Sequence, residues 1–422
     1  MEEKRVQKIN IGKSNEYYDY LKYLCKVSKN LYNQALFIQR QHFIDSSCYE
    51  DCGYLDNIAK IKGSPLYKNY HILPAQVAQQ TLKVLDKNWK SFFESIKAYK
   101  KNPNKFTGRP KMPKYKDSDS YFNLYITEQS LHFENNTLRI SNLSGFMKNM
   151  YFKTNLLKIN DIKKINQVRI LPRENKLVLE IIYTKIINET KFNGNQSIGI
   201  DLGIDNLLTI AGDIKPIIVS GKKIKSINHH YNKLQAKYKS ELKKKNKKNW
   251  SNRLQKITDK RKNKIEDAFH KISRWLITFC LENGISNIVI GKNKMWKQDS
   301  KMNKVNNQNF IQIPFTILEK MIDYKAREAG LNVIWQEESY TSKVSYFDND
   351  KILKFKKDDT TKHQFSGKRI KRGLYQTKEG KFVNADVNGS LNILRKSNVT
   401  VMSKFGPADI GFVFNPIKIN IF

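Results

Sequence analysis

The chain has 422 residues, with 77 Lys and Arg against 39 Asp and Glu and a formal net charge of +38. At about 150 residues per domain, this length predicts roughly two to four domains, and the sequence has no run of about 18 apolar residues that would indicate a transmembrane helix. Hydrophobic residues make up 39% and aromatic residues 11%, which is too much for a disordered basic tail. We therefore expect a folded polycation whose partner is nucleic acid.

The N-terminus and the cysteines both indicate a reducing compartment. Met1–Arg5 is charged and no apolar segment follows it, so the sequence predicts no signal peptide. The four cysteines are Cys25, Cys48, Cys52 and Cys280, a low usage that is typical of the cytosol. Cys48 and Cys52 lack a second Cys or His pair at zinc spacing, and we interpret them as ordinary thiols.

Two helices are predicted in the N-terminal region. Residues 17–43 carry apolar side chains at helical spacing, and a second helix follows Pro74. Its aromatic residues, among them Trp89 and Phe92, are interpreted as core.

A basic segment over 105–116 follows these helices. Prolines keep the segment extended, and its basic side chains alternate with aromatic ones. This pattern suits a groove that follows a nucleic-acid backbone. The residues predicted to bind nucleic acid here are Lys105, Arg109, Lys111, Lys114, Tyr115 and Lys116.

The next two regions differ in their pattern. Residues 121–186 show short alternating apolar runs, which predict antiparallel β-structure in a small barrel packed with the N-terminal helices. The polar stretch 189–196 marks a boundary. Beyond it, buried strands such as 285–290 and 331–335 alternate with long helices, which is typical of an α/β domain.

Carboxylates stand at the ends of three predicted elements of this α/β domain. Asp201 ends the first strand, Glu337 and Glu338 follow the strand 331–335, and Asp386 starts the last helix. Any single one is also explained as a helix cap or a turn residue. Together, in a very basic chain, they favour two Mg²⁺ ions about 3.5–4 Å apart that hydrolyse a phosphodiester.

The order of motifs resembles the TnpB family. Ile198–Leu207, Tyr340–Ser342 and Asn384–Leu394 carry the resemblance, together with the Leu31-Tyr32-Asn33 helix and the segment Pro110–Lys116. These OrfB-type proteins are RNA-guided nucleases of insertion-sequence transposons, related to miniature type V CRISPR effectors. The resemblance covers nearly the whole chain.

The resemblance implies an α/β fold with added β-barrel and helical parts. It implies a RuvC domain with an RNase H-like core, preceded by a wedge β-barrel that a helical recognition domain interrupts. The implied boundaries are 1–16 and 103–190 for the wedge-like barrel, 17–102 for the recognition domain, 197–341 and 383–396 for the RuvC core, 342–382 for a zinc-free insert that binds target nucleic acid, and 397–422 for a C-terminal tail.

The implied activity is DNA cleavage beside a short transposon-adjacent motif. The implied partners are a guide RNA from the transposon end and double-stranded target DNA, with two Mg²⁺ ions as cofactor and no membrane partner. The implied location is the bacterial cytoplasm, in association with the nucleoid, and the oligomeric state is left open. Asp201 matches the first RuvC aspartate and Asp386 the last.

Two positions depart from the family pattern. The strand ending at Ile290 is normally followed by the catalytic Glu, but Gly291 stands there. The motif Tyr340–Ser342 is normally followed by two Cys pairs, and their lack here predicts that there is no structural zinc.

We expect the missing acid on the neighbouring strand. In an RNase H-like sheet the strand ending at Trp335 lies about 4.8 Å from the strand ending at Ile290, and Gly291 leaves room for a long side chain. Because side chains alternate along an extended chain, only one glutamate faces the site. The predicted catalytic and metal-binding set is Asp201, Glu338 and Asp386, with Glu337 as the alternate.

Other functions are considered beside this one. If Gly291 records a lost ligand, the chain is a nuclease-inactive, RNA-guided DNA-binding protein that acts as a repressor. A DNA-strand transposase ranks lower, since no His-hydrophobe-His motif supports its tyrosine version. The basic part of the insert is either a nucleic-acid contact or a solvated loop, and its basic residues are Lys368, Arg369, Lys371 and Arg372.

Overall fold

The chain folds into two compact units, Met1–Ile187 and Asn188–Phe422. The computed structural model describes residues 2–142, 145–155, 162–173, 175–187, 191–246, 250–292, 308, 310–353, 363–399 and 410–421. Parts of the predicted boundary at 189–196, of the insert and of the C-terminal tail lie outside these residues. In the described part of the chain, no helix is both long and apolar enough to cross a bilayer.

The described strands of the N-terminal unit are all antiparallel. They are β1 (Glu2–Ile11), β2 (Leu124–Thr127), β3 (Leu131–Glu134), β4 (Thr137–Ile140), β5 (Met150–Lys153), β6 (Ile162–Arg173) and β7 (Lys176–Ile186). Their order is β1-β7-β6-β2 in one sheet and β3-β4-β5 in another. The antiparallel structure predicted for 121–186 is confirmed. The described pairing gives two sheets rather than one closed ring, so the wedge-like barrel stays a prediction.

Helices complete the N-terminal unit. They are α1 (Tyr18–Ser46), α2 (Cys52–Lys60), α3 (Tyr67–Ile72) and α4 (Ala75–Lys101). Both predicted helices are confirmed, and Pro74 stands at the N-cap of α4, where a missing N–H costs nothing. Leu31 and Trp89 are fully buried in one core with the strands, and each such side chain contributes about 1.5–3 kcal/mol. The interpretation of Trp89 as a core residue is therefore confirmed.

A mixed sheet forms the centre of the C-terminal unit. Its strands are β8 (Gln196–Leu202), β9 (Asn206–Gly212), β10 (Ile217–Ser220), β11 (Ile285–Gly291), β12 (Asn332–Gln336) and, from the far end of the chain, β16 (Ile417–Ile419). Their order is β12-β11-β8-β9-β10-β16. Strands β8, β9 and β10 are antiparallel, whereas β8, β11 and β12 are parallel. Gly291 pairs with Gln336, which confirms that the strand ending at Trp335 lies beside the strand ending at Ile290.

The fully described helices of this unit are α5 (Lys222–Asn246), α6 (Asn252–Glu282), α7 (Phe315–Glu328), α8 (Ala385–Lys396) and α9 (Ile410–Phe414). Helix α8 lies directly on β8: Ser390 Oγ donates to the carbonyl of Gly199 over 2.7 Å. A Cβ on Gly199 would collide with the Ser390 carbonyl and would lie 3.0 Å from Leu394 Cβ. Gly199 therefore allows the backbone of α8 to approach β8 closely.

The insert contains more regular structure than expected. Strands β13 (Lys368–Lys371), β14 (Leu374–Gln376) and β15 (Phe382–Asn384) form a small antiparallel sheet. Tyr375 is fully buried against Val383 and Ala385, and its hydroxyl donates to the carbonyl of Lys343 over 2.9 Å. The sequence did not predict this sheet because strands of three or four residues carry little periodic signal.

Candidate active site

Carboxylates from three elements meet at one edge of the central sheet. Asp201 lies near the end of β8, Glu338 follows β12, and Asp386 lies in the first turn of α8. Because β8, β11 and β12 are parallel neighbours, their carboxyl ends reach the same edge. The structure thus gathers the residues predicted as catalytic and metal-binding, and their roles stay predictions.

The pKa of Asp201 is shifted by both of the other acids. Burial raises the pKa of Asp201 well above its usual range, and the charges of Glu338 and Asp386 raise it further, against a smaller lowering by Arg369. Gly389 of α8 faces this side chain, since a Cβ there would lie 3.3 Å from Asp201 Oδ2. Desolvated, mutually repelling carboxylates are typical of functional sites that attract a cation.

Glu338 occupies the space beside Gly291. A Cβ on Gly291 would collide with Glu338 Oε1 and would lie 2.7 Å from Glu338 Cγ. The prediction that Gly291 leaves room for this glutamate is confirmed. Burial, with smaller contributions from the charges of Glu337 and Glu319, raises the pKa of Glu338 to about 7.

Glu337 has a different set of partners. Its Oε2 lies 2.7 Å from Nζ of Lys396, and its Oε1 accepts from the backbone N–H of Ser339 over 2.7 Å. Burial raises the pKa of Glu337, but the hydrogen bonds from Lys396 and Ser339 outweigh it, so the net shift is downward. Two adjacent glutamates therefore differ: Glu338 lies against Gly291 in the carboxylate group, while Glu337 forms an ion pair on α8.

Asp386 is held by side chains rather than by the helix end. Asn384 is the N-cap of α8, and its Oδ1 accepts from the backbone N–H groups of Asp386 and Val387. The alternative reading of Asp386 as an N-cap is therefore wrong. Its carboxylate accepts from Asn206 Nδ2 over 2.7 Å and from Arg369 Nη2 over 3.2 Å.

The hairpin of β13 and β14 brings arginines to the carboxylates. A cavity of about 580 Å³ is lined by Asp201, Asp205 and Asp386 and, across from them, by Arg369, Lys371 and Arg372. Arg372 and Lys225 both form ion pairs with Asp205. Of the basic residues predicted in the insert, the exposed Lys368 does not line this cavity.

Sequence reasoning missed Asp205 and Asn206. Both lie in the motif Ile198–Leu207, and the available signal was Gly203. A Cβ on Gly203 would lie 2.5 Å from the carbonyl of Asn206, so this turn is closed tightly and returns both side chains to the edge that carries Asp201.

The basic segment predicted to bind nucleic acid lies in the N-terminal unit. Asn33 fixes it by bonding both backbone groups of Lys116, over 2.8 and 2.9 Å, and Lys116 Nζ lies 5.2 Å from the Tyr32 ring centroid. Lys111, Lys114 and Lys116 line a cavity of about 320 Å³. The same cavity does not include Lys105, Arg109 or Tyr115. Nucleic-acid binding by these residues stays a prediction.

The cluster formed by Asp201, Glu338 and Asp386 has the ligand chemistry that a hard cation prefers. Oxygen ligands are those that Mg²⁺ prefers, and the raised pKa values of Asp201 and Glu338 fit a place where positive charge is needed. Within the described ranges, however, no three Asp, Glu, His or Cys side chains are arranged to hold one metal ion. Asp386 forms an ion pair with Arg369 here, so a metal ion at Asp386 would share the carboxylate with this guanidinium or displace it.

Comparisons with known proteins agree with the resemblance seen in the motifs. Residues 176–297 match the family model OrfB_IS605, described as a probable transposase, and residues 315–393 match the model of the Cas12f1-like TNB domain. The TnpB-like protein MJ0751 of Methanocaldococcus jannaschii is 27% identical over 169 residues. That alignment covers 39% of this chain and spans 60% of the relative.

A solved Cas12f1 structure has a fold similar to that of this chain. The Cas12f1 chain of a complex with guide RNA and target DNA superposes with a TM-score of 0.53 at 14% identity, covering 90% of this chain and 82% of that one. A mini-RNA-guided endonuclease, CRISPR-Cas_phi3, matches with a TM-score of 0.46 at 11% identity over 96% of this chain and 94% of that one. The resemblance to TnpB-like proteins and miniature type V effectors is confirmed, and the mixed α/β fold is similar to that of Cas12f1.

Proposed function

We propose that this chain, a relative of TnpB-like and Cas12f1-like proteins, is an RNA-guided DNA endonuclease that cuts target DNA beside a short transposon-adjacent motif. The observation that carries the proposal is the position of Glu338, which fills the space beside Gly291 and adds a third carboxylate to Asp201 and Asp386. The central sheet, with an antiparallel meander followed by two parallel strands, supports a RuvC domain with an RNase H-like core.

Asp201, Glu338 and Asp386 would hold the Mg²⁺ ions. Bound there, the metal supplies an activated water and stabilises the leaving oxygen of the phosphodiester. The protein's own contribution is positional: Asn206 orients Asp386, and Gly291 lets Glu338 approach. Arg369 and Arg372, which face the carboxylates, are suited to binding the phosphates of the strand because guanidinium groups form strong, charge-assisted bonds to phosphate oxygens.

Guide RNA and target DNA are the proposed partners. The net charge of +38 and the basic cavity with Lys111, Lys114 and Lys116 support both. In this proposal the guide reads sequence by pairing while the N-terminal unit, as wedge and recognition domains, reads duplex shape and the flanking motif. Its proposed place of action is the nucleoid in the bacterial cytoplasm.

Cleavage of a plasmid library tests the proposal. The chain is co-expressed with the RNA of its transposon end and assayed with Mg²⁺ and then with EDTA. Metal-dependent cuts beside one fixed short motif, lost in Asp201→Ala and Glu338→Ala but kept in Glu337→Ala, are expected. Guide-dependent binding with no cuts would contradict the nuclease and favour the nuclease-inactive DNA-binding protein.

A further inference from the structure

A second cavity of the C-terminal unit lies between the long helices α5 and α6, among residues that the proposed cleavage does not use. Its volume is about 450 Å³, within the about 300–1,000 Å³ that is usual for small-ligand sites. Its lining residues are Lys223, Ser226, Ile227, His230, Tyr231, Leu234, Ile257, Lys260, Arg261 and Lys264.

Positive charge surrounds this cavity without a carboxylate to balance it. Lys223, Lys260 and Lys264 are exposed, and no described Asp or Glu forms an ion pair with any of them. The nearby acid Glu266 pairs with Lys262, which does not line the cavity. Unpaired cations at this density repel one another, so a polyanion that binds them is stabilised both by the new contacts and by relief of that repulsion.

Two residues that line the cavity, Tyr231 and Arg261, are held in place by their neighbours. Tyr231 is buried, and its hydroxyl accepts from Gln235 Nε2 over 2.7 Å. Arg261 lies 5.1 Å from the Tyr231 ring centroid, and it donates to Asn228 Oδ1 and to the carbonyl of Gln312, each over 2.7 Å. Because these bonds fix the guanidinium and the ring before any ligand arrives, little ordering remains to be done on binding.

We propose that this cavity binds one nucleotide of a single-stranded nucleic acid. The base packs on Ile227, Leu234 and the fixed guanidinium of Arg261, and the flanking phosphates lie on Lys223, Lys260 and Lys264. A fixed, planar guanidinium beside lysines suits single-strand binding, since stacking holds the base and cations hold the backbone. This inference rests on the proposed function only in taking nucleic acid as the partner.

Anisotropy of short labelled strands, with the full chain in EDTA, tests the site. Lys260→Glu/Lys264→Glu is compared with Lys239→Glu/Lys243→Glu, which has the same spacing and charge change on exposed lysines of α5 that do not line the cavity. We expect the first pair to weaken binding at least about tenfold more than the second, and to flatten the dependence of log Kd on log salt by about 1.4, the value for two lost phosphate contacts on a single strand.

Separate arms identify the strand and the base. A larger loss for RNA assigns the site to the guide, and a larger loss for DNA assigns it to the target strand. An abasic strand should bind about tenfold more weakly than a base-bearing one, and Leu234→Ala should narrow that difference. Equal losses in the two lysine pairs, or no difference between abasic and base-bearing strands, would overturn the inference.

The outcome is separable from that of the cleavage assay. Binding is measured without metal, so a chain that never cuts DNA still reports on this cavity. If both double-lysine variants lose the same affinity for single strands while the wild-type chain cuts DNA under guidance, the proposed function stands and the proposed nucleotide site is wrong. Thermal melting of each variant verifies folding, and all four lysines are exposed, so the substitutions are expected to be tolerated.

Discussion

Two cavities of the C-terminal unit differ in how their basic side chains are paired. In the cavity at the strand ends, Asp386 is paired with Arg369 and Asp205 with Arg372 and Lys225. In the cavity between α5 and α6, the lysines are exposed, and none of the lining residues in the described part of the chain is acidic. The net charge of +38 therefore does not describe how individual cations are placed: Arg369 and Arg372 are paired with carboxylates in this structure, whereas no described acid pairs with the lysines of the second cavity.

The largest expected effect separates chemistry from binding. Asp201→Asn should abolish guided cleavage while leaving the affinity for single strands within about twofold, because a neutral amide is a poor ligand for Mg²⁺ and no phosphate contact is removed. Cleavage and anisotropy measured on one preparation check this. If Asp201→Asn weakens strand binding as much as Lys260→Glu/Lys264→Glu does, the two cavities do not have separate roles in cleavage and binding.

Gly291→Ala tests whether Glu338 needs the space it occupies. The new methyl would collide with the carboxylate, so Glu338 must move, and we expect a large loss of cleavage with about 1–3 kcal/mol lower stability from overpacking. Gly411→Ala is the matched control, since a Cβ there meets nothing within 4 Å and Gly411 lies outside the predicted catalytic and nucleic-acid-binding residues. Unchanged cleavage in Gly291→Ala would exclude Glu338 from the site.

The pH dependence of stability tests whether Glu338 is buried among the carboxylates at the strand ends. The pKa of Glu338 is raised from 4.5 to about 7, so the folded state binds this proton more tightly than the unfolded state does. Without divalent ions, stability should therefore fall as pH rises from about 4.5 to about 7, by up to about 3 kcal/mol. In Glu338→Gln, the free energy of unfolding, measured by denaturant titration at each pH, should depend less on pH over this range. A pH dependence as steep as that of the wild type would contradict a raised pKa for Glu338.

Arg369→Ala asks whether this arginine competes with a metal. Loss of the guanidinium removes a cation that lowers the pKa of Asp201 and frees one oxygen of Asp386. We expect Ca²⁺ binding, followed by calorimetry, to tighten about three- to tenfold while the metal-free protein melts earlier. Lys368→Ala is the control, because Lys368 does not line the cavity; unchanged Ca²⁺ affinity in Arg369→Ala would show no competition.

The smallest effect is expected for Glu337→Ala. This change removes an ion pair between the half-exposed Glu337 and the buried Lys396. Lys396 keeps the carbonyls of Ser339 and Leu353 as acceptors, so we expect a loss of stability of about 1–3 kcal/mol. Cleavage should stay within about threefold of the wild type, as measured by initial rates. A loss that matches that of Glu338→Ala would reverse the roles given to the two glutamates.

Much of the C-terminal unit could be predicted because its strands are buried runs with glycines at their ends. The pairing of the strands that end at Ile290 and Trp335 and the room beside Gly291 followed from sheet geometry alone. The choice between Glu337 and Glu338 depended on alternation, which the chain after β12 does not strictly keep. The side-chain orientation of Glu337 is set by its ion pair with Lys396, which is distant in sequence. The sequence alone could therefore not decide which glutamate faces the site.

Other features had no local signal. The ion pairs of Arg369 and Arg372 depend on a hairpin whose short strands could not be told from a loop. Strand β16 joins the central sheet from beyond the last predicted helix and pairs with β10 over Ile217–Val219. Such pairings are set by tertiary packing, which overrides the weak propensity of three-residue strands.

The contact between Gly199 and Ser390 has a consequence for how the protein is made. The two residues are 191 positions apart, so on the ribosome the face of β8 stays uncovered until nearly the whole unit has been synthesised. Asp386 arrives on the same helix that covers this face. A nascent or truncated chain that stops before α8 therefore lacks both the last layer of its core and Asp386, so the proposed cleavage activity would be acquired only when the fold is complete.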